Sequence, residues 1–271
     1  MNKNIRRVFI VIILFWTLFP LYSLVVTSIT GSGGIGDLFP KDMTFEYYKE
    51  IFFGSKSGGQ AIWPFMLNSL IIGGLATIGV LIISVPCAYG FSRWETKTSH
   101  RMYLGFFILR MLPPIALLVP WYFILSSVGL MDTYTGLSFI YFIFQLPVGI
   151  WLMRGFFETI PKELEEAAWI EGASVFQAFK KVILPLASNG IAVTAVFVFI
   201  YCYIELMYAS ILTRTKTVTL PPYIAGFSTP WEIRFQLMLA AALVSVVPMA
   251  ILFFLIQRYI AKGITGGALK Y

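Results

Sequence analysis

The chain alternates long apolar runs with short polar connections. Six runs are hydrophobic at nearly every position rather than on one face: Val8–Ile29, Phe65–Phe91, Tyr103–Ser126, Tyr134–Gly155, Leu186–Leu212 and Phe235–Tyr259. A helix that is apolar all round has no water-facing side and belongs in a protein interior or a membrane. Each run reaches the roughly 20 residues that a helix needs to cross a bilayer. The pattern predicts an all-α polytopic membrane protein, one domain over residues 1–271 with six transmembrane helices. The first run is too long for a signal-peptide core, and no small-residue cleavage site follows it, so it is expected to remain as a span.

The polar intervals are unequal. An outer loop at about 30–64 holds Thr30–Gly36 (TGSGGIG), which reads as flexible, and Phe39–Phe53, which reads as amphipathic from Thr44 onward. In the latter, Phe45, Tyr48, Ile51 and Phe52 would share a helix face. The fourth connection, at about 156–185, carries the most information: FFETIPKELEEAAWIEGASVFQAFKKVILP. Pro161 suits a helix start, where its missing N–H costs nothing. Glu163, Glu165 and Glu166 follow in the first turns, where the helix dipole favours negative charge. The helix is expected to run to about Glu171 and stop at Gly172. Ser174 and Gln177 form a capping box for a second helix, Val175 to about Leu184, before Pro185. Ala167 and Ala168 leave one face smooth. The hairpin is either a solvated surface element or a docking element; Leu164, Trp169 and Ile170, poorly used in water, favour docking.

Charge orients this pattern. Thirteen Lys and Arg fall in one alternating set of connections and the termini, six in the other, and Arg110 lies within the third run. The positive-inside rule places both termini and the hairpin in the cytoplasm. A turn at Gly129–Thr133 and a loop at about 213–234 are then external. The net charge of +7 clusters at the ends of apolar runs, so nucleic acid is not the expected partner. Charged residues make up 12% of the chain, against about 25% in soluble domains, which leaves too little polar surface to coat a soluble globule. Cys87 and Cys202 sit in apolar runs and His100 is the single histidine, so neither a disulfide framework nor a metal site is expected. No phosphate-cradling Gly-Lys-Ser/Thr loop is present, and no nucleophile stands beside a base; the chain is expected to carry no catalytic residues.

Two charges fall inside runs, where each must face protein or water. Arg110 either snorkels to the interface or pairs with another subunit. Glu205 either lines a pathway or an inter-subunit contact, or is a buried carboxylate with a hydrogen-bonding partner. Prolines at 20, 86, 113, 114, 120, 147 and 248 fit either ordinary membrane-helix packing or bent, mobile helices.

Glu166-Ala167-Ala168, then Gly172, then Val182-Ile183-Leu184-Pro185 resembles the EAA loop of ABC importer permeases, with Val182 where isoleucine is commonest. Asn68-Ser69-Leu70, Arg110-Met111-Leu112-Pro113-Pro114, Gly129 to Thr133 and the tail at about 260–271 are similar to carbohydrate importer permeases of the maltose type. The resemblance implies that Glu166, Ala167, Ala168, Gly172, Leu184 and Pro185 belong to a coupling helix seated in an ATPase subunit. It implies that Gly266, Gly267 and Ala268 reach the ATPase dimer interface. Asn68, Arg110 and Glu205 would lie in the translocation pathway or between subunits, although Ile204 stands where the family often has Asn before Glu. The implied partners are a second homologous permease, two ATPase subunits, an external or periplasmic solute-binding protein, carbohydrate substrate and membrane lipid. ATP and Mg would be used by the partner subunits, with no cofactor bound here. Glycerol phosphate, polyol or peptide remain alternative cargoes. A secondary transporter would instead show charged relays in several spans and no docking hairpin.

Overall fold

In the computed structural model, the described residues are 3–31, 39–40, 42–55, 59–94 and 96–268, without the side chains of Leu109 and 258–268. The apolar runs form helices whose ends are set by prolines, a glutamate and caps. Helices α1 (Lys3–Ser28), α3 (Trp63–Arg93), α6 (Tyr134–Glu158) and the Phe235–Gln257 stretch of α13 (Phe235–Ala268) are each long and apolar enough to cross a membrane. Pro20, Pro86, Pro147 and Pro248 lie inside these helices without ending them.

Two expected spans are not continuous. The third divides into α4 (Lys97–Met111) and α5 (Pro114–Ser127), with Pro113 extended at φ −62° and ψ 123° between them. A residue before proline is driven out of the helical region, and Pro113-Pro114 applies that restriction twice, to Leu112 and Pro113. The fifth starts after a 70° bend as α10 (Ser188–Ile204) and stops at Glu205, with α11 (Met207–Leu212) following. Among the described residues, therefore, four helices are of crossing length, or five if the bent pair counts as one.

The connections also hold two short helices, α2 (Glu46–Phe53) and α12 (Leu220–Ala225), and isolated bridges Thr30–Met43 and Ser228–Ile233. In α2, Ile51 is buried and Tyr48 and Phe52 are half-buried as the spacing predicts, but Phe45 precedes the helix and is exposed. Most of the Gly-rich stretch at 30–36 lies outside the described residues, as do Lys41 and Lys56.

The chain forms two compact units. One comprises residues 1–66 and 220–248; Arg234 pairs with Glu50 at 2.7 Å, and the Tyr223 ring stacks on Phe65 with centroids 4.3 Å apart. The other comprises residues 67–219 and 249–271, with Ile72, Val80, Tyr141 and Val198 in its core. Here α3 and α6 touch at Gly149, where an added Cβ would lie 2.5 Å from Cγ1 of Val80. Valine is stiff at χ1 and cannot swing aside. Gly149→Ala is expected to lower stability by about 1–3 kcal/mol through overpacking, read as a fall in unfolding temperature in detergent.

Candidate functional site

The hairpin is built by local chemistry and then anchored by a buried charge. Helix α7 (Glu163–Ile170) begins after Pro161, and the Lys162 carbonyl accepts from the N–H groups of Glu165 and Glu166. It ends in a Schellman closure: Ala173 N–H donates to Ala168 O at 2.9 Å and Gly172 N–H to Trp169 O at 3.0 Å. Gly172 sits at φ +88°, the left-handed region that glycine enters without a Cβ penalty. Ser174 and Gln177 form the expected reciprocal capping box. The second arm is not the single regular helix that the spacing predicts. It comprises α8 (Val175–Ala178), a π-helical turn (Phe179–Ile183) and α9 (Leu184–Leu186). Pro185 has no N–H for the carbonyl four residues back, and the widened turn falls just before it.

Glu165 is 1% exposed. It accepts the Tyr89 hydroxyl proton at 2.7 Å and pairs with Nε of Arg93, itself 7% exposed. The same guanidinium donates to the carbonyls of Phe157 at 3.2 Å and Ile160 at 3.0 Å. One arginine thus joins the end of α3, the end of α6 and the first turn of α7. The sequence alone does not show this: all three glutamates read as dipole complements, and Arg93 is one of the thirteen basic residues that orient the chain. The available signal was Tyr89 and Arg93, four apart on one helix face, opposite a carboxylate.

The other surface of the hairpin is apolar and open. Ile170 is 87% and Phe176 69% exposed, and Leu164, Trp169 and Val175 are exposed as well. Of the residues assigned to coupling, Glu166, Ala167, Gly172 and Pro185 are exposed and Ala168 and Leu184 half-buried.

The three residues expected in the pathway or between subunits all have partners within this chain. Asn68 is buried; its amide donates to the carbonyls of Lys216 at 3.1 Å and Val218 at 2.9 Å and accepts from the Tyr134 hydroxyl at 2.7 Å. Glu205 is half-buried and caps α11: it accepts from the N–H groups of Tyr208 at 3.0 Å and Ala209 at 3.1 Å, and from the Tyr141 hydroxyl at 2.8 Å. A carboxylate at the start of a helix both ends the preceding one and satisfies orphan donors of the next. Arg110 occupies the last turn of α4, donates to Phe144 O at 2.8 Å and lies 5.8 Å over the Tyr201 ring. Gly266, Gly267 and Ala268 continue the backbone of α13, and their surroundings lie outside the described residues.

Asp132, given no role by sequence, organises the segment 214–217. Its carboxylate accepts from the N–H groups of Arg214, Thr215, Lys216 and Thr217 and from the hydroxyls of Thr215 and Thr217. Burial pushes its pKa up, but donation from the four backbone N–H groups outweighs this and holds the carboxyl well below the usual range.

The sequence profile of the binding-protein-dependent transport system inner membrane component family matches residues 81–266, which contain the whole hairpin. The chain belongs to this family. The trehalose transport system permease protein SugB of Mycobacterium tuberculosis is 35% identical over 238 residues, covering 87% of this chain and 85% of that protein. The diacetylchitobiose uptake system permease protein DasC of Streptomyces coelicolor is 30% identical over 265 residues, covering 96% and 94%. The maltose/maltodextrin transport system permease protein MalG of Escherichia coli K12 is 30% identical over 269 residues, covering 93% and 90%. Among solved structures, a bacterial ABC transporter involved in the import of the acidic polysaccharide alginate has a chain that superposes with a TM-score of 0.76. That match covers 96% of this chain and 98% of the other at 21% identity, a likeness of fold. Family membership places this chain in the cell membrane as a multi-pass permease.

Proposed function

We propose that this chain is the permease subunit of an ATP-driven, binding-protein-dependent importer of a carbohydrate, coupled to its ATPase through the hairpin from Glu163 to Leu186. The observation that carries the coupling role is the contrast between the two sides of that hairpin. One side is pinned by the buried Glu165–Arg93 pair, and the other leaves Ile170 and Phe176 open. Apolar side chains held in the open on a rigid mount fit a protein groove better than water. The sugar-transport relatives support carbohydrate as the cargo.

In this reading the chain pairs with a second homologous permease, two ATPase subunits that use ATP and Mg, and an external solute-binding protein. Counting α4 with α5 and α10 with α11 as one crossing each brings the spans to six, and the positive-inside rule puts both termini and the hairpin in the cytoplasm. Residues 266–268 would extend toward the ATPases. Arg110 and Glu205 stand at the two helix breaks, and broken helices are where transporters build solute paths; we assign both to the route or its inter-subunit wall. Asn68 would serve the route indirectly by holding the outer segment 216–218.

The test is ATPase activity of the assembled transporter with its solute-binding protein and a panel of sugars. Stimulation by a saccharide supports the reading, whereas stimulation only by a glycerol phosphate, polyol or peptide replaces the cargo and leaves the permease role standing. Glu166→Lys alters an exposed residue and is expected to leave insertion intact while cutting uptake per ATP at least about tenfold, the scale of an interface hot spot. Unchanged uptake would remove Glu166 from the interface.

A further inference from the structure

We infer that the start of α4 and the C-terminal end of α6 form a binding site for the phosphoryl headgroup of an anionic phospholipid. A cavity of about 410 Å³ there has Thr96, Lys97, Ser99, His100, Arg101 and Arg154 in its walls beside Phe91. Three of these side chains are cationic at neutral pH, and two carry hydroxyls able to donate to phosphoryl oxygens. The cavity also lies at a helix N-terminus. Thr96 Oγ1 accepts from Ser99 N–H at 3.1 Å, which leaves the first-turn N–H groups of Lys97 and Thr98 without intrahelical acceptors. The dipole adds partial positive charge at that end.

Among the described residues, the acid beside the cavity is already paired. Glu158 is taken up by Arg154 Nε at 2.6 Å. Lys97 and Arg101 are exposed and form no ion pair among the described residues. Among the described residues, the cavity therefore keeps two cations outside any ion pair.

A second feature points to a lipid rather than a free anion. Arg154 also lines an adjoining groove of about 500 Å³ walled by Tyr103, Trp151, Leu152, Gly155 and Phe156, with Glu158 and Thr159 as its other polar residues. Its guanidinium carbon lies 4.3 Å over the Tyr103 ring, a cation–π contact that holds it between the two spaces. Trp94 and Trp151 are exposed beside them, and exposed tryptophans mark headgroup depth in membrane proteins. A cationic cavity joined to an aromatic and aliphatic groove at that depth matches an amphiphile, with its phosphoryl group among the cations and an acyl chain along the groove. Inorganic phosphate would leave the groove empty, and a zwitterionic lipid would leave the excess charge unmet. This inference needs only the membrane location, not the cargo or the orientation.

The experiment uses the complex purified through a tag on this chain, reconstituted in nanodiscs of phosphatidylglycerol and phosphatidylcholine, extracted in mild detergent and weighed by native mass spectrometry. Phosphatidylglycerol is expected to remain bound in preference to phosphatidylcholine. The double variant Lys97→Gln/Arg101→Gln is expected to reduce its retention about thirty-fold, from the two phospholipid-attracting charges removed. Both positions are exposed, and an unchanged unfolding temperature confirms that the variant is folded. Equal retention of the two lipids by the unaltered complex overturns the proposal without reference to any variant. So does undiminished retention in the folded double variant, or displacement of the lipid by millimolar inorganic phosphate.

Discussion

Glu165→Ala is expected to abolish solute uptake while the spans still insert, because it releases the hairpin from its mount. The alanine leaves the Arg93 guanidinium buried without its carboxylate and removes the acceptor of the Tyr89 hydroxyl. Breaking one side of a buried ion pair costs about 3–5 kcal/mol, comparable to the whole stability of a local element. The loss falls at the junction where α3, α6 and α7 meet through one guanidinium. Limited proteolysis at Lys162, Lys180 and Lys181 should accelerate, and ATP hydrolysis should no longer respond to the loaded binding protein. Arg93→Ala is expected to be at least as damaging, since it also strips the donors from the Phe157 and Ile160 carbonyls. The two effects should be strongly non-additive in the double variant, because each removes the same pair. Wild-type uptake by Glu165→Ala would show that the pair is not needed to hold the hairpin in place.

Asp132→Ala is expected to free the segment 214–217, seen as faster hydrogen exchange at the N–H groups of Arg214, Thr215, Lys216 and Thr217. Bonds to a charged acceptor contribute about 1.5–3 kcal/mol each. The carboxylate here is partly exposed and its bonds share one group, so the total is discounted to about 2–3 kcal/mol. The folded-state carboxyl is held below its unfolded value of about 3.9. Its contribution is therefore complete above that value and is lost as pH falls toward the folded pKa. Protection in this segment, measured against the intrinsic exchange rate at each pH, should be insensitive to the carboxyl across neutral pH and should fall in acid. Asp132→Asn is expected to fall between wild type and alanine, because it keeps one acceptor oxygen and loses the charge.

The helical class, the hairpin and its Gly172 hinge were legible because each is written in local chemistry: all-round apolar runs, a capping box, a glycine at a required positive φ. The breaks were only half legible. Pro113-Pro114 announces an interruption, yet the six-run reading passed through it because apolar character continues on both sides. At Glu205 no breaker residue stands in the sequence; the stop comes from a carboxylate that caps the next helix.

What the sequence by itself determined was which segments avoid water and where the exposed hairpin begins, turns and ends, since hydrophobic run length and capping act within a few residues. What only the tertiary structure decided was which charges are structural. Glu163, Glu165 and Glu166 look alike in a helix's first turns, and helical geometry turns Glu165 inward onto Arg93 and Tyr89 while leaving Glu166 exposed. Asn68 and Asp132 likewise find their partners 66 to 150 residues away. Such pairings depend on which helices become neighbours, and that depends on packing across the whole unit.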